Sequence, residues 1–232
     1  MAGRFDSWES YFYPETFNPA TREGTLRNLY DERDPDALAR KEYVSTARRA
    51  FEIHRGVVDI PRTYDAVRVR AIHRYLFQDV YEWAGEERTV GMAKDVSDFA
   101  DVSSGQVDRY FEDVNRIVRS AQWARLDRPQ FARAAANVFA HLNQAHPFRE
   151  GNGRTSKVFM EHVAEQSPYT LQFDRVSPYI WNNASKMSGP DRGSYAPVPD
   201  SLIPVFEHIA VERSPSAVDP AIDLPDPEDY ER

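Results

Sequence analysis

Two helical patterns meet at residues 129–164, and the nine residues that separate them constrain this chain more than any other feature. The first pattern, Pro129 to Ala145, carries Phe131, Ala135, Val138, Phe139 and Leu142 at helical spacing. The second begins at Thr155 and runs to Ala164. Between them stands His146-Pro147-Phe148-Arg149-Glu150-Gly151-Asn152-Gly153-Arg154. Glycines let a backbone curl so that successive N–H groups face one concavity, a shape that binds anions. Because the turn opens a helix, the dipole and the unpaired N–H groups of the first turn also favour phosphate there. The expected geometry is a bend at the head of a helix, packed into a helical bundle.

The side chains in this run suit group transfer at phosphorus. His146 is the candidate general base, a group that titrates near neutrality. Glu150 is the candidate Mg²⁺ ligand, because hard oxygens suit that ion and phosphates and water complete its shell. Gly151, Asn152 and Gly153 form the anion nest, with the Asn152 side chain a further phosphate contact. Arg154 can grip phosphate through its planar fork, and Lys157, at i+3, shares its helix face. Phe148 reads as an apolar anchor; Arg149 faces solvent or a target. Plainer alternatives stand beside these readings. His146 alone could cap the preceding helix, and Glu150 could simply complement a helix dipole. The histidines His54, His73, His162 and His208 have no evident partners in sequence.

Composition narrows the class further. The chain has no cysteine, which excludes disulfides, thiolate metal sites and cysteine nucleophiles. The formal net charge is −8, and the acids Asp219, Asp223, Asp226, Glu228, Asp229 and Glu231 concentrate it at the C-terminus. That balance argues against direct nucleic-acid binding. The N-terminal residues lack an apolar signal core, and no stretch approaches a membrane span. A cytoplasmic location is the expectation, with export by a route that uses no cleavable signal left open.

Along the chain, residues 1–33 read as a capping segment rich in aromatics and turns, 34–212 as the catalytic domain, and 213–232 as a disordered acidic, proline-rich tail. Asp34-Pro35-Asp36 starts a helix whose apolar face takes in Leu38, Val44, Ala47, Ala50, Phe51 and Ile53. A second helix is expected from about Thr63 to Trp83. Glu87–Ala93 and Val96–Ala100 read as two short strands around Lys94-Asp95. Helices follow at about 103–123, then at the two patterns above, then at 178–187 and 199–211. The fold class is all-α, a helical bundle with one short β-hairpin.

The run from His146 to Lys157 resembles the signature of the Fic family, His-x-Phe-x-Asp/Glu-Gly-Asn-Gly-Arg-x-x-Arg, and differs only in Lys157, where the family has arginine. Tyr11-Phe12-Tyr13-Pro14-Glu15-Thr16 resembles the opening of many bacterial members, and Tyr81-Glu82-Trp83-Ala84-Gly85 with Arg88-Thr89-Val90 resembles the segment leading into their flap. The likeness spans about residues 8–210. It implies a Fic-type bundle in which the hairpin is a flap that docks a target strand, with Val90 and Met92 clamping the target. It implies a protein adenylyltransferase that uses MgATP to modify a Ser, Thr or Tyr hydroxyl. Doc-like phosphorylation, transfer of another nucleotide, or a catalytically weak nucleotide-binding module are its alternatives. Lys157 would stand where an arginine reaches the terminal phosphate, keeping the charge without the fork. Many members also carry an inhibitory helix, Ser/Thr-x-x-x-Glu-Gly/Asn. That motif is absent from this sequence, so the resemblance points to a toxin restrained by a small antitoxin that supplies the helix.

Overall fold

A computed structural model describes residues 5–94 and 97–213. Of the expected tail 213–232, residues 214–232 lie outside the described residues, as do Asp95 and Val96 between the two strands. Among the described residues the order is α1 (Pro35–His54), α2 (Ala66–Phe77), β1 (Ala93–Lys94), β2 (Ser97–Asp98), α3 (Gln106–Ser120), α4 (Arg128–Ala145), α5 (Asn152–Ala164), β3 (Tyr169–Leu171), α6 (Pro178–Met187), α7 (Ile203–Ile209) and β4 (Ala210–Glu212).

Helix α4 is the axis of the bundle and packs against α3, α5 and α7. Its start is double-capped: Asp127 accepts from the Gln130 N–H at 2.8 Å while the Gln130 side chain accepts from the Asp127 N–H at 3.1 Å. Phe131, Ala132, Ala135, Ala136, Val138, Phe139, Ala140 and Leu142 are all buried. A helix buried over most of its circumference belongs in a core, and its alanines let neighbouring helices approach closely. Helix α3 is the amphipathic contrast, burying the single stripe Val107, Tyr110, Phe111, Val114 and Val118.

Helix α1 departs from expectation in which face it buries. The inward residues are Leu38, Glu42, Thr46 and Ile53, whereas Val44 and Phe51 are 68% and 64% exposed. Counting apolar residues misled here because two polar side chains sit on the inner face with partners waiting for them. Arg49 fixes the helix's pose by gripping Asp79 with two bonds, at 2.7 and 2.9 Å.

The second helix ends at Phe77, short of Trp83. The N–H groups of Val80 and Tyr81 both turn back to the Phe77 carbonyl, at 2.9 and 3.0 Å, and Tyr81 stacks on Trp83 at 4.3 Å. The expected helix over 199–211 is also divided. A short 3-10 turn at Pro199–Ser201 precedes α7, and Ala210–Glu212 leaves the helix to pair with β3, Tyr169 opposite Glu212. Pro204 in the first turn permits α7 to restart, and the extended end follows a partner some forty residues away in the chain. This gives a second two-stranded sheet beside the hairpin. The hairpin is shorter than expected, with Ala93 opposite Asp98 and Lys94 opposite Ser97. Residues 5–33 lie across the bundle with Tyr11, Phe12 and Tyr13 buried, and the Leu29 N–H donates to Val80 O at 2.8 Å.

Candidate active site

The loop between α4 and α5 brings the predicted residues onto one short path. His146 caps α4 in the left-handed region at φ 39°, a conformation that strains any residue but glycine. Its ring stacks on Phe99, just past the hairpin, at 3.7 Å, and lines a small cavity with Asn143, Gln144, Ser185, Lys186 and Gly189. His146 is half-buried, so a flat aromatic partner orients the imidazole without sealing it off.

The rest of the loop is held by its backbone. Phe148 is fully buried and stacks on His73 at 3.7 Å, the anchoring role expected of it. Asn152 has a structural role as well. Its amide donates to Phe148 O at 2.7 Å and accepts from the Phe148 N–H at 2.9 Å, so the side chain closes the loop and keeps one N–H of its amide for a ligand. The two glycines also differ in function. Gly151 sits at φ 84°, and a Cβ there would overlap the Phe77 ring; it alone makes the bend. Gly153 lies within α5 and a Cβ there would meet nothing within 4 Å, so its contribution is open space above the first turn. The first helical bond is Thr155 N–H to Gly151 O, 3.0 Å. The N–H groups of Asn152, Gly153 and Arg154 therefore precede the helical ladder and are donors for a ligand.

Glu150 presents a carboxylate with 44% of the side chain exposed. Its Oε1 accepts from the Gly151 N–H at 2.9 Å and lies 3.5 Å from Arg154 Nη2, leaving Oε2 for a ligand. No cluster of three His, Cys, Asp or Glu side chains that could hold a metal exists among the described residues. A lone carboxylate fits Mg²⁺ shared with phosphates and water, and does not fit an all-protein metal cage. Arg154 bonds to Glu42, to Thr46 and, weakly, to Glu150. Lys157 turns to the rings of Phe173 and Trp181, 5.2 and 5.4 Å away, and burial lowers its ammonium's pKa. Arg154 and Lys157 line the same cavity, about 260 Å³, with Tyr43, Ala50, Val158 and Phe173. On the hairpin side, Val90 and Met92 are half-buried and precede β1, and the Met92 carbonyl accepts from the Phe99 N–H at 3.1 Å, next to the Ala93–Asp98 pair.

Four residues of consequence had no role assigned to them from the sequence. Arg88, 2% exposed, donates to the carbonyls of His146 (2.8 Å), Val90 (2.7 Å) and Ala100 (2.5 Å), pinning both ends of the hairpin to the loop between α4 and α5. His73 is fully buried and accepts from the Gly85 N–H at 2.8 Å. That bond leaves its other nitrogen protonated to donate to Glu150 O at 3.0 Å. Glu42 accepts from Arg154, and the Tyr81 hydroxyl donates to Glu42. Arg149 faces neither solvent nor a target: it is 9% exposed, with its guanidinium 3.9 Å from the Trp8 ring centre and 5.0 Å from that of Phe12. The signal for these residues was a charged or polar group on an otherwise apolar face, which periodicity cannot pair with its partner.

Buried neutral histidines make stability depend on pH. Burial pushes His73 down to about 3, opposed by its bond to Glu150, and burial with Arg68 takes His162 down to about 4. Their folded values lie below the unfolded value near 6.5, so the unfolded chain takes up protons first as pH falls. Stability from them is intact above about pH 6.5 and declines toward pH 4, with a slope of about 1.4 kcal/mol per pH unit for each. His54, raised by Glu161, opposes this weakly because it is largely exposed. Melting temperatures between pH 7.5 and 4.5, compared for wild type and His73→Gln, should show the shallower decline in the variant (about half the slope if the two histidines dominate); parallel declines would exclude His73 as a source.

Comparison with known proteins identifies the family and the fold. Residues 63–164 match the Fic/DOC family. The chain is 35% identical over 178 residues, 76% of its length, to the protein adenylyltransferase VbhT of Bartonella schoenbuchensis, and spans 35% of that longer protein. It is 31% identical to the probable protein adenylyltransferase y4lH of Sinorhizobium fredii, covering 65% of this chain and 74% of that one. The solved BepC effector of Bartonella tribocorum with bound AMPPNP shares the fold at a TM-score of 0.75 and 24% identity, over 89% of this chain and 98% of that one. An N-terminal Fic domain from Bartonella quintana with bound ADP superposes at 0.69 with 27% identity, over 88% and 97%.

Proposed function

The chain belongs to the Fic/DOC family, and from that premise we propose that it is a protein adenylyltransferase, transferring AMP from MgATP to a Ser, Thr or Tyr hydroxyl of another protein. The observation that carries this is the open first turn of α5, with Gly153 bare, Arg154 beside it, and His146 at the other end of the same loop. His146 takes the proton from the target hydroxyl, the oxygen bonds to the α-phosphorus, and the bond to the β-phosphate oxygen breaks, releasing pyrophosphate. The N–H groups of residues 152–154 and the Arg154 guanidinium take up the charge that grows on the leaving phosphates. Magnesium, with Glu150 Oε2 as its protein ligand, would neutralise phosphate charge. Lys157, its ammonium over two rings, keeps the charge that would meet a terminal phosphate without arginine's planar fork, and the intact Gly-Asn-Gly-Arg run is what favours attack at the α- over the γ-phosphate.

We further place the protein in the bacterial cytoplasm, as a toxin held by a small antitoxin. In support, the cavity beside Lys157 is flanked by Tyr43, 71% exposed, a surface that suits the apolar side of a helix with a glutamate facing Lys157. Among the described residues no helix is long and apolar enough to cross a membrane.

ATP labelled separately at the α and γ positions, added to bacterial lysate with the purified chain, tests both readings. Protein should take up α-label only. Uptake of γ-label would mean phosphorylation, and uptake of neither a silent site. Adding a neighbouring small reading frame's product that carries the Ser/Thr-x-x-x-Glu-Gly/Asn helix should quench the α-label; undiminished label would remove the antitoxin.

A further inference from the structure

We propose that Glu42, on α1, is a positioning residue for Arg154, so that a helix outside the signature run supplies part of the donor-phosphate site; this rests on the nucleotide reading above. Glu42 is 8% exposed and both its oxygens are used, Oε1 by Arg154 Nη2 and Oε2 by the hydroxyl of Tyr81. One turn along α1, Thr46 accepts from Arg154 Nη1 at 3.2 Å while donating its own proton to Glu42 O at 2.8 Å. The Phe77 ring centre lies 4.7 Å from the guanidinium carbon. The two terminal nitrogens are thus caught by one helix, and the plane of the group rests near an aromatic ring. A guanidinium has five N–H donors, and the Arg154 side chain remains 36% exposed. The grip leaves Nε and the outer hydrogens to a phosphate.

A carboxylate bonded to an active-site arginine could act instead as a brake that ATP must displace. Burial decides against that. Arg154 is the cation bonded to Glu42 among the described residues, and drawing it away would leave a buried carboxylate with one phenol for company, a state far worse than the paired one. Tyr81 stays a donor throughout, because burial and the adjacent Glu42 drive its hydroxyl's pKa up. Leu38, Glu42, Thr46 and Ile53 form the inner face of α1. Apolar residues at 42 and 46 would bury more easily, so their polarity answers to Arg154.

The test is a double-mutant cycle on the full chain, read as MgATP affinity by calorimetry. Glu42→Gln should weaken binding about tenfold in the wild-type background and less than about twofold alongside Arg154→Gln, the signature of one residue acting through the other. Tyr81→Phe keeps the ring and loses one hydroxyl; it should weaken binding about threefold, again only while Arg154 is present, and it serves if Glu42→Gln does not fold. Equal losses in both backgrounds would reduce Glu42 to a structural support, and tighter binding by Glu42→Gln would make it a brake. Either overturns the proposal. A wild-type protein that binds no MgATP would instead end the nucleotide reading itself, before any variant is compared.

Discussion

His146→Ala is expected to abolish transfer of α-labelled AMP, with a rate loss of about 10²–10⁴, while MgATP affinity stays near wild type. The reason for the split is positional. The imidazole belongs to the end of α4, whereas the donors proposed for phosphate belong to the first turn of α5. Two structural effects of the change must be separated from the chemical one. Alanine at φ 39° is no more comfortable than histidine, and the stacking on Phe99 is lost. His146→Asn controls for the first, since asparagine tolerates the left-handed region. It should fold as wild type and be as inactive as the alanine variant. If either variant kept more than about a tenth of the rate, a group other than His146 would be the base.

The two glycines of the turn should separate fold from site. At Gly151, alanine meets a positive φ and the Phe77 ring together. About 2–5 kcal/mol of stability should be lost, and nucleotide binding with it, because the bend that aims α5 cannot form. At Gly153 the same substitution meets open space inside a helix. The expected result is a gain of about 0.5–1 kcal/mol in stability with a loss of nucleotide affinity, as a methyl group enters the volume a phosphate would fill. Denaturant unfolding and calorimetry on the same samples measure both quantities. A Gly153→Ala protein that binds MgATP as tightly as wild type would show that the polyphosphate does not approach this turn.

The loop's importance was legible in sequence because its information is local. A histidine, a carboxylate, two glycines and an arginine within nine residues have few purposes, and α4 and α5 on either side follow from their helical patterns alone. The assignments that failed were those requiring knowledge of a distant partner. Arg149 looked exposed until Trp8 and Phe12 closed over it. Val44 and Phe51 looked like core until α1 was rolled by the bonds of Arg49 to Asp79 and of Glu42 to Arg154.

From sequence alone, then, came the helical class, the bend that heads α5, and the residue types proposed to meet a nucleotide, since backbone conformation and side-chain chemistry act over a few residues. The tertiary structure decided which arginine is buried and which is presented, which glycine bends and which clears space, and that His73, Arg88 and Glu42 hold the loop from outside. Those outcomes depend on hydrogen bonds and ring contacts between groups tens of residues apart, and a buried charge or imidazole takes its role from the partner that meets it.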